Sequence, residues 1–599
     1  MKNILKHIVL AAAAAACLSC NLLDQTAKST YDDVTVYSNY TLARYSVNAI
    51  YTCYSATYSY RTDYLDGGYG VNTDVEVCNE LDTEKSDGAR YKQSPTNSRY
   101  NSPGEDQIFA GNYKSIEKAN ICIKNLEIYG DIDNRPEMGA LYGEALTARA
   151  ILYADLLNIY GEVPARFEPV TQETIYMPKA DKDVIYKQLL GDLQKAAKYM
   201  DWNNTYITVP GKVCALGMYA RLALQASGYS CRPDEGKVNT GAMGTVRKSN
   251  DPELQMEVLY PKALEALEDI IDNAGLSLFD TFEELWRWYC GLHTEYGKEV
   301  IYGLPFADTR GCHLVRNALP NSKYNYGITG GNNGPVPTFY FRFDKRDTRR
   351  KITCVPHQFD SNGQPYWKNN SAAQWYNGKF RLDWYEETHH RKSKDSDDGA
   401  KFTYLRYADI LLMASEIANE LGDLEKAKEY MRPILVRAYQ SEALADEYLA
   451  LQTDKETFFE AVKDQRAFEF CGELLRRQDL IRWGILKKAL DDTKVEMQNM
   501  RERQGKWSGY NEAIYWRVAE NGIDAEIYGF DPGETENKLI TDPDGGWNKT
   551  DYFKPTMFNQ RRIDEFYLAD PEMNMYRPIP AAIITANLGV LKNDYGYTF

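Results

Sequence analysis

The 599-residue sequence predicts a mostly α-helical protein: an array of about four tetratricopeptide-like helix hairpins that carries long, loop-rich insertions. Three observations predict it. The stretch Lys401–Gln440 reads as two helices joined at Gly422-Asp423. Leu411, Ser415 and Ala418 recur at i, i+4 and i+7 on the first, and Ala427, Met431 and Ile434 recur likewise on the second, so each set shares one face. Gly422 tolerates the left-handed backbone that ends a helix, and Asp423 can cap the next one. Next, the pattern repeats upstream. Ala263, Leu267 and Ile270 have the spacing of Ala427, Met431 and Ile434, while Ala150/Tyr153, Gly217/Ala220 and Ser415/Ala418 each sit three apart. Such a hairpin cannot bury its apolar face alone and must stack on neighbours. Finally, the separations between hairpins are irregular, so insertions interrupt the array.

The elements follow in order. Residues 1–19 read as an export signal: Lys2 and Lys6 precede the apolar run Ile8–Leu18, which is too short to span a bilayer. Leu18-Ser19-Cys20 resembles a bacterial lipobox, so Cys20 is expected to be lipidated, with 20–40 as its tether and the body held in water by the lipid. Residues 41–599 are expected to form a single body. Its framework covers about 41–58, 108–275 and 401–485, and its variable insertions about 59–107, 276–400 and 486–570. Helices are expected over Tyr40–Tyr51, Asn112–Tyr129, Met138–Tyr160, Asp181–Met200, Gly211–Ser227, Tyr260–Asn273 and Phe458–Gly484. Gly161 and Pro164 stop the third of these.

Composition narrows the function. With 70 basic and 86 acidic residues the net charge is −16, which argues against a nucleic-acid partner. Tyr is abundant at 46, and its flat apolar ring with a polar tip suits wet recognition surfaces as well as helix seams. Beyond Cys20, nine scattered Cys with no C-x-x-C give neither a metal set nor a disulfide framework, and they are expected to be small buried hydrophobes. The motifs H-E-x-x-H, G-x-S-x-G and G-x-x-x-x-G-K-[ST] are absent. His389-His390 reads as an exposed loop, and Asp82…Asp87-Gly88 and Asp542-Pro543-Asp544-Gly545 read as turns that lack full calcium-loop spacing. No catalytic residue, cofactor or metal is assigned.

Several motifs, in order along the chain, together resemble the SusD/RagB family of outer-membrane nutrient-binding lipoproteins of Bacteroidota. They are Cys20-Asn21-Leu22-Leu23-Asp24; Tyr113-Lys114-Ser115-Ile116 with Ala119-Asn120; Arg149-Ala150 with Tyr153 and Tyr160-Gly161-Glu162-Val163-Pro164; Arg406-Tyr407-Ala408-Asp409-Ile410-Leu411-Leu412; Arg466…Glu469-Phe470 with Asp479-Leu480-Ile481-Arg482-Trp483-Gly484; and Tyr576-Arg577-Pro578-Ile579-Pro580 with Asn587-Leu588 and Tyr595-Gly596-Tyr597. Two positions depart from the pattern: Arg466-Ala467-Phe468-Glu469 lacks the usual doubled Arg-Glu richness, and Cys471 stands where a Gly or another small residue is common. The resemblance implies a right-handed helix-hairpin array behind a variable binding face. It also implies a TonB-dependent, SusC-like barrel transporter as partner, an oligosaccharide as usual cargo, a peptide or other nutrient less often, and a lipid-anchored, surface-exposed place on the outer membrane.

The candidate binding residues are aromatic. Pyranose rings present C–H faces that flat side chains cover, and polar neighbours must meet the hydroxyls. Trp286, Trp288, Tyr289 and Tyr296 lie in the large insertion, as do Tyr324 and Tyr326 beside a Gly-rich run. Tyr91, Tyr100 and Asn101 lie in the other long loop. In the family these two regions tend to meet over the ligand. Trp286 and Tyr289 have a second reading, since Phe282–Tyr289 also has the period of a short helix with these rings on its apolar face. The Trp367–Trp384 group is set aside because Asp344-Lys345-Arg346-Asp347 and Lys379-Phe380 around it resemble framework. A non-catalytic glycan-binding lipoprotein is therefore expected, with a protein-binding tetratricopeptide scaffold and a surface hydrolase as rivals.

Overall fold

The computed structural model describes residues 31–56, 58, 60, 71–307, 310, 316–324, 330–367, 372–385, 398–531, 533–534 and 545–598. Cys20 and His389-His390 lie outside them. Two short helices, α1 (Asp33–Ser38) and α2 (Tyr40–Asn48), lead into α3 (Ile108–Tyr129), α4 (Pro136–Tyr160), α5 (Lys182–Tyr199), α6 (Lys212–Ser227) and α7 (Met256–Asn273). After α8 (Phe282–Cys290) come α9 (Tyr407–Glu420), α10 (Leu424–Tyr439), α11 (Lys455–Phe470), α12 (Arg476–Arg482) and α13 (Leu486–Glu502). Each of α3 to α6 packs on the next, α7 packs on α9, and α9 packs on both α10 and α11. The result is a mostly α, tetratricopeptide-like stack. No helix among the described residues is long and apolar enough to cross a membrane.

Local chemistry explains the boundaries. Asp181 caps α5 by accepting from Asp183 N, and Asp423 caps α10 by accepting from Lys426 N. Gly422 has φ +91°, the left-handed region a helix stop demands. Ala263, Leu267, Ile270, Ala427, Met431 and Ile434 are all fully buried. The small positions work through proximity. Ser415 Oγ donates to the Ala427 carbonyl at 2.8 Å across the α9–α10 seam. A Cβ on Gly217 would meet Ile410 Cδ1 and Leu405 Cδ2 at 2.8 Å, so α6 comes close to α9 only because Gly stands there.

Three expectations need correction. The first residues of Lys401–Gln440 are not helical: Thr403–Arg406 is a strand paired antiparallel with Val300–Gly303. Phe458–Gly484 is not one helix. It breaks after Phe470, because Gly472 has φ +90° and packs so tightly against Asn377 that a side chain there would collide. Residues 486–502, expected within a loop-rich insertion, form helix α13. Of the expected turns, Asp82 has φ +64°, but Asp87-Gly88 lies inside the helix Glu84–Ala89.

The framework motifs meet in two buried ion clusters, one around Arg406 and Glu469 and one around Asp409 and Arg466. Glu469 accepts from Arg406 at 2.7 Å and Arg349 at 3.0 Å, and also from Arg437. Glu299 accepts from Arg406 at 2.7 Å and Arg437 at 2.6 Å, and Glu473 from Arg406 at 2.7 Å and Lys379 at 2.8 Å. Burial alone would raise the Glu469 carboxyl, but the guanidinium groups of Arg437, Arg406 and Arg349 outweigh it and hold the group well below the carboxylate range. Asp409 pairs with Arg221 at 2.6 Å and with Arg466 at 2.8 Å, and Arg466 reaches on to Asp479. Charges this deep persist because each has a partner. Cys471, one of the departures from the family pattern, is buried with its Sγ 3.7 Å from the Val75 carbonyl.

Candidate functional site

The first and the large insertions do meet. Strand β1 (Glu76–Cys78) pairs antiparallel with β2 (Asn333–Pro335), and Asn79 Nδ2 donates to the carbonyls of Gly331 at 2.9 Å and Trp375 at 3.1 Å. Nearby, Trp375, Tyr340, Phe341, Trp507, Phe530 and Tyr552 pack ring on ring, with centroids 4.9–6.4 Å apart. The insertions thus carry an aromatic core of their own rather than lying as loose loops.

Most of the expected platform is inside. Trp286 is 1% exposed and Tyr289 4%, because Thr281 opens α8 with a capping box and the three-residue spacing turns both rings inward onto Phe380. Tyr91, 1% exposed, donates its hydroxyl to the Asn72 carbonyl at 2.8 Å. Tyr100, 4% exposed, donates to the Ser94 carbonyl at 2.9 Å and lies under Arg577. None of these four rings offers a face to a ligand in this structure, which corrects the expectation for them. Asn101 is half-buried, and its Oδ1 accepts from Ala582 N. Trp288 and Tyr296 are half-buried, Trp288 stacking on His293 at 5.6 Å, while Tyr324 is half-buried beside Lys323. Tyr326 lies outside the described residues.

The half-exposed rings that sequence reasoning missed lie on a three-stranded antiparallel sheet. Its centre is β3 (Ala513–Val518), flanked by β4 (Ala525–Tyr528) and β5 (Asn548–Asp551). Tyr515 stands opposite Tyr528 and Lys549, and Arg517 opposite Glu526. Strand alternation therefore puts Tyr515, Arg517, Tyr528, Glu526 and Lys549 on one face. Trp547 joins them: Arg517 lies 4.7 Å over its ring, and Tyr528 is 6.5 Å away, edge to face. Arg517 Nε also pairs with Glu526 at 2.7 Å, and Lys549 Nζ is 5.6 Å from the Tyr515 ring. Every residue of this group keeps solvent access. The opposite face carries Trp516, whose ring lies 4.7 Å from Trp367 and whose Nε1 donates to Thr550 Oγ1 at 3.0 Å. The run Ala513-Ile514-Tyr515-Trp516-Arg517-Val518 is rich in aromatic and β-branched residues, a strand signal that was there to be read.

A second ledge lies within the large insertion. Trp384 is half-exposed, with the guanidinium groups of Arg287 and Arg381 at 4.7 and 4.9 Å from its ring. Both ledges combine apolar ring area with fixed donors and acceptors, which suits a ligand with alternating C–H and hydroxyl faces. Among the described residues no three His, Cys, Asp or Glu are grouped to hold a metal. Eight cysteines there are free and buried.

Two family models match the chain: the SusD family over residues 337–597, and a family described as starch-binding associating with the outer membrane over residues 23–224. The SusD-like protein P25 of Formosa agariphila is 25% identical over 411 residues, which cover 63% of this chain and 70% of that protein. A crystal structure of a SusD homologue from Bacteroides thetaiotaomicron aligns with a TM-score of 0.66 at 19% identity, covering 79% of this chain and 91% of its own. Surface glycan-binding protein A of the same species, solved in complex with laminarihexaose, aligns with a TM-score of 0.59 at 15% identity, covering 92% of this chain and 99% of its own. The solved structures share the fold, and with the two models between them matching residues 23–224 and 337–597, the chain belongs to the SusD/RagB family.

Proposed function

We propose that this protein is a non-catalytic glycan-binding lipoprotein. In this reading the half-exposed sheet β3–β4–β5 is its principal aromatic platform and Trp288, Tyr296, Tyr324 and Trp384 are accessory rings. The observation that carries it is the single face on which Tyr515, Tyr528 and Trp547 stand with Arg517, Glu526 and Lys549. Rings supply the area, and the charged heads supply hydrogen bonds to hydroxyls. Family membership supports the reading, as does the laminarihexaose complex of the related surface glycan-binding protein. The finer reading is that Cys20 is acylated, that the body stands on the outer surface of the outer membrane, and that cargo passes to a SusC-like, TonB-dependent transporter.

Affinity electrophoresis of the body lacking residues 1–20 in gels containing soluble polysaccharides tests binding. Retardation by at least one glycan is expected, and migration unchanged across glucans, mannans, xylans and fructans would overturn it. Co-purification of a barrel transporter with the native lipoprotein tests delivery.

A further inference from the structure

Behind the sheet, a second polar place stands apart from the platform. His357 precedes the strand Gln358–Phe359 and is 6% exposed. Neither of its ring nitrogens has a hydrogen-bond partner among the described residues, and the indole Nε1 of Trp367, 5.1 Å away ring to ring, has none either. Three buried polar atoms without partners at one spot are costly unless something else bonds them. The surroundings limit what that is. Burial, with Arg381 adding to it, pushes the imidazole down to about 3, so it is neutral and offers one donor and one acceptor. Arg381 is already paired with Asp383 at 2.8 Å and with Asp524 at 2.7 Å, so the guanidinium nearest the imidazole has its charge met by carboxylates. No unpaired cation is left there to call for an anion, and a neutral group that both donates and accepts fits the imidazole. A hydroxyl is such a group. Trp367 and Trp516, 4.7 Å apart and half-exposed, form the approach to it.

We propose that His357, Trp367 and Trp516 form a recessed subsite for one neutral sugar unit, whose ring lies against an indole and whose hydroxyls bond the imidazole and the Trp367 N–H. This rests on the glycan-binding reading above and adds a place and a chemistry to it: the unit is uncharged, and the subsite lies on the face of the sheet opposite Tyr515, Tyr528 and Trp547.

The test is isothermal titration of the soluble body with laminarihexaose, maltohexaose, xylohexaose and mannohexaose, beside differential scanning calorimetry. His357→Phe is expected to keep or raise Tm, since it replaces polar atoms that lack partners in the free protein. It is also expected to weaken the best of these ligands more than threefold. Trp367→Phe, which deletes the indole N–H and keeps a ring, should weaken it in the same direction and guards against a folding defect in the first variant. Affinity within threefold of wild type in both variants overturns the subsite. If Tyr515→Ala/Trp547→Ala abolishes binding in that case, the glycan reading survives without it. Absence of binding by the wild type to all four, together with unchanged migration in the polysaccharide gels above, would overturn both.

Discussion

Trp286 shows how one residue can serve two expectations that only burial separates. It sits against Phe282, Tyr289 and Phe380 with the Lys379 ammonium 4.7 Å from its ring. Trp286→Ala is therefore expected to cost about 3–5 kcal/mol of stability in urea unfolding, as emptied core positions do. Glycan affinity of the fraction that folds should be unchanged. Glu76 makes a prediction about pH. Burial pushes its carboxyl up to about 8 although Lys379 opposes the shift, against an ordinary value of 4.5. The folded state then holds a proton the unfolded state has lost. This contribution to stability is full below pH 4.5 and disappears as pH rises through 8. Glu76→Gln, neutral at every pH, should flatten the decline of Tm between pH 4.5 and 8 relative to wild type. An unchanged slope would show the carboxylate to be ionised in the fold.

Among elements, the sheet and the hairpins answer to different physics. The sheet's face is held by backbone pairing and needs its rings for contact more than for folding. Tyr515→Ala/Trp547→Ala is thus expected to lower glycan affinity tenfold or more, because stacked aromatic contacts contribute about 0.5–1.5 kcal/mol each beyond their area. Its Tm should move by only a few degrees. The α6–α9 seam is the reverse. Gly217→Val would press a side chain into Ile410 and Leu405, and overpacking of this kind costs about 1–3 kcal/mol in chemical denaturation without touching the sheet β3–β4–β5.

For the whole molecule, the network around Arg406 ties the hairpins to Glu299, just before the strand Val300–Gly303, and, through Lys379 and Glu473, to the rest of the large insertion. Glu469→Gln leaves Arg406, Arg349 and Arg437 short of one carboxylate. Removing a partner from a buried ion pair typically costs about 3–5 kcal/mol. A cooperative loss of both array and insertion in calorimetry would show that the two fold together. Two separate transitions would show that the network does not join them. At the same scale, Cys20→Ala is expected to release the body from the membrane fraction. A variant that stays membrane-bound would remove the lipid from the proposed function.

Much of this was legible in the residues. The periodicity of Ala263, Leu267 and Ile270 and of Ala427, Met431 and Ile434, with Gly422 and Asp423 between helices, located the hairpins, because helix faces and caps are local properties. The family was legible too, from motifs whose charged residues turn out to pair inside: Arg406 with Glu469, and Arg466 with both Asp409 and Asp479. Which rings meet solvent was not legible. Trp286 and Trp516 are both aromatics in polar insertions. One turns inward because α8 packs on Phe380, while the other stays half-open because β3 lies in a three-stranded sheet. Sequence by itself determined the array and its kinship, because both rest on short-range spacing. Only the tertiary structure decided which rings meet solvent, because exposure depends on what distant segments cover, and spacing along the chain does not record that.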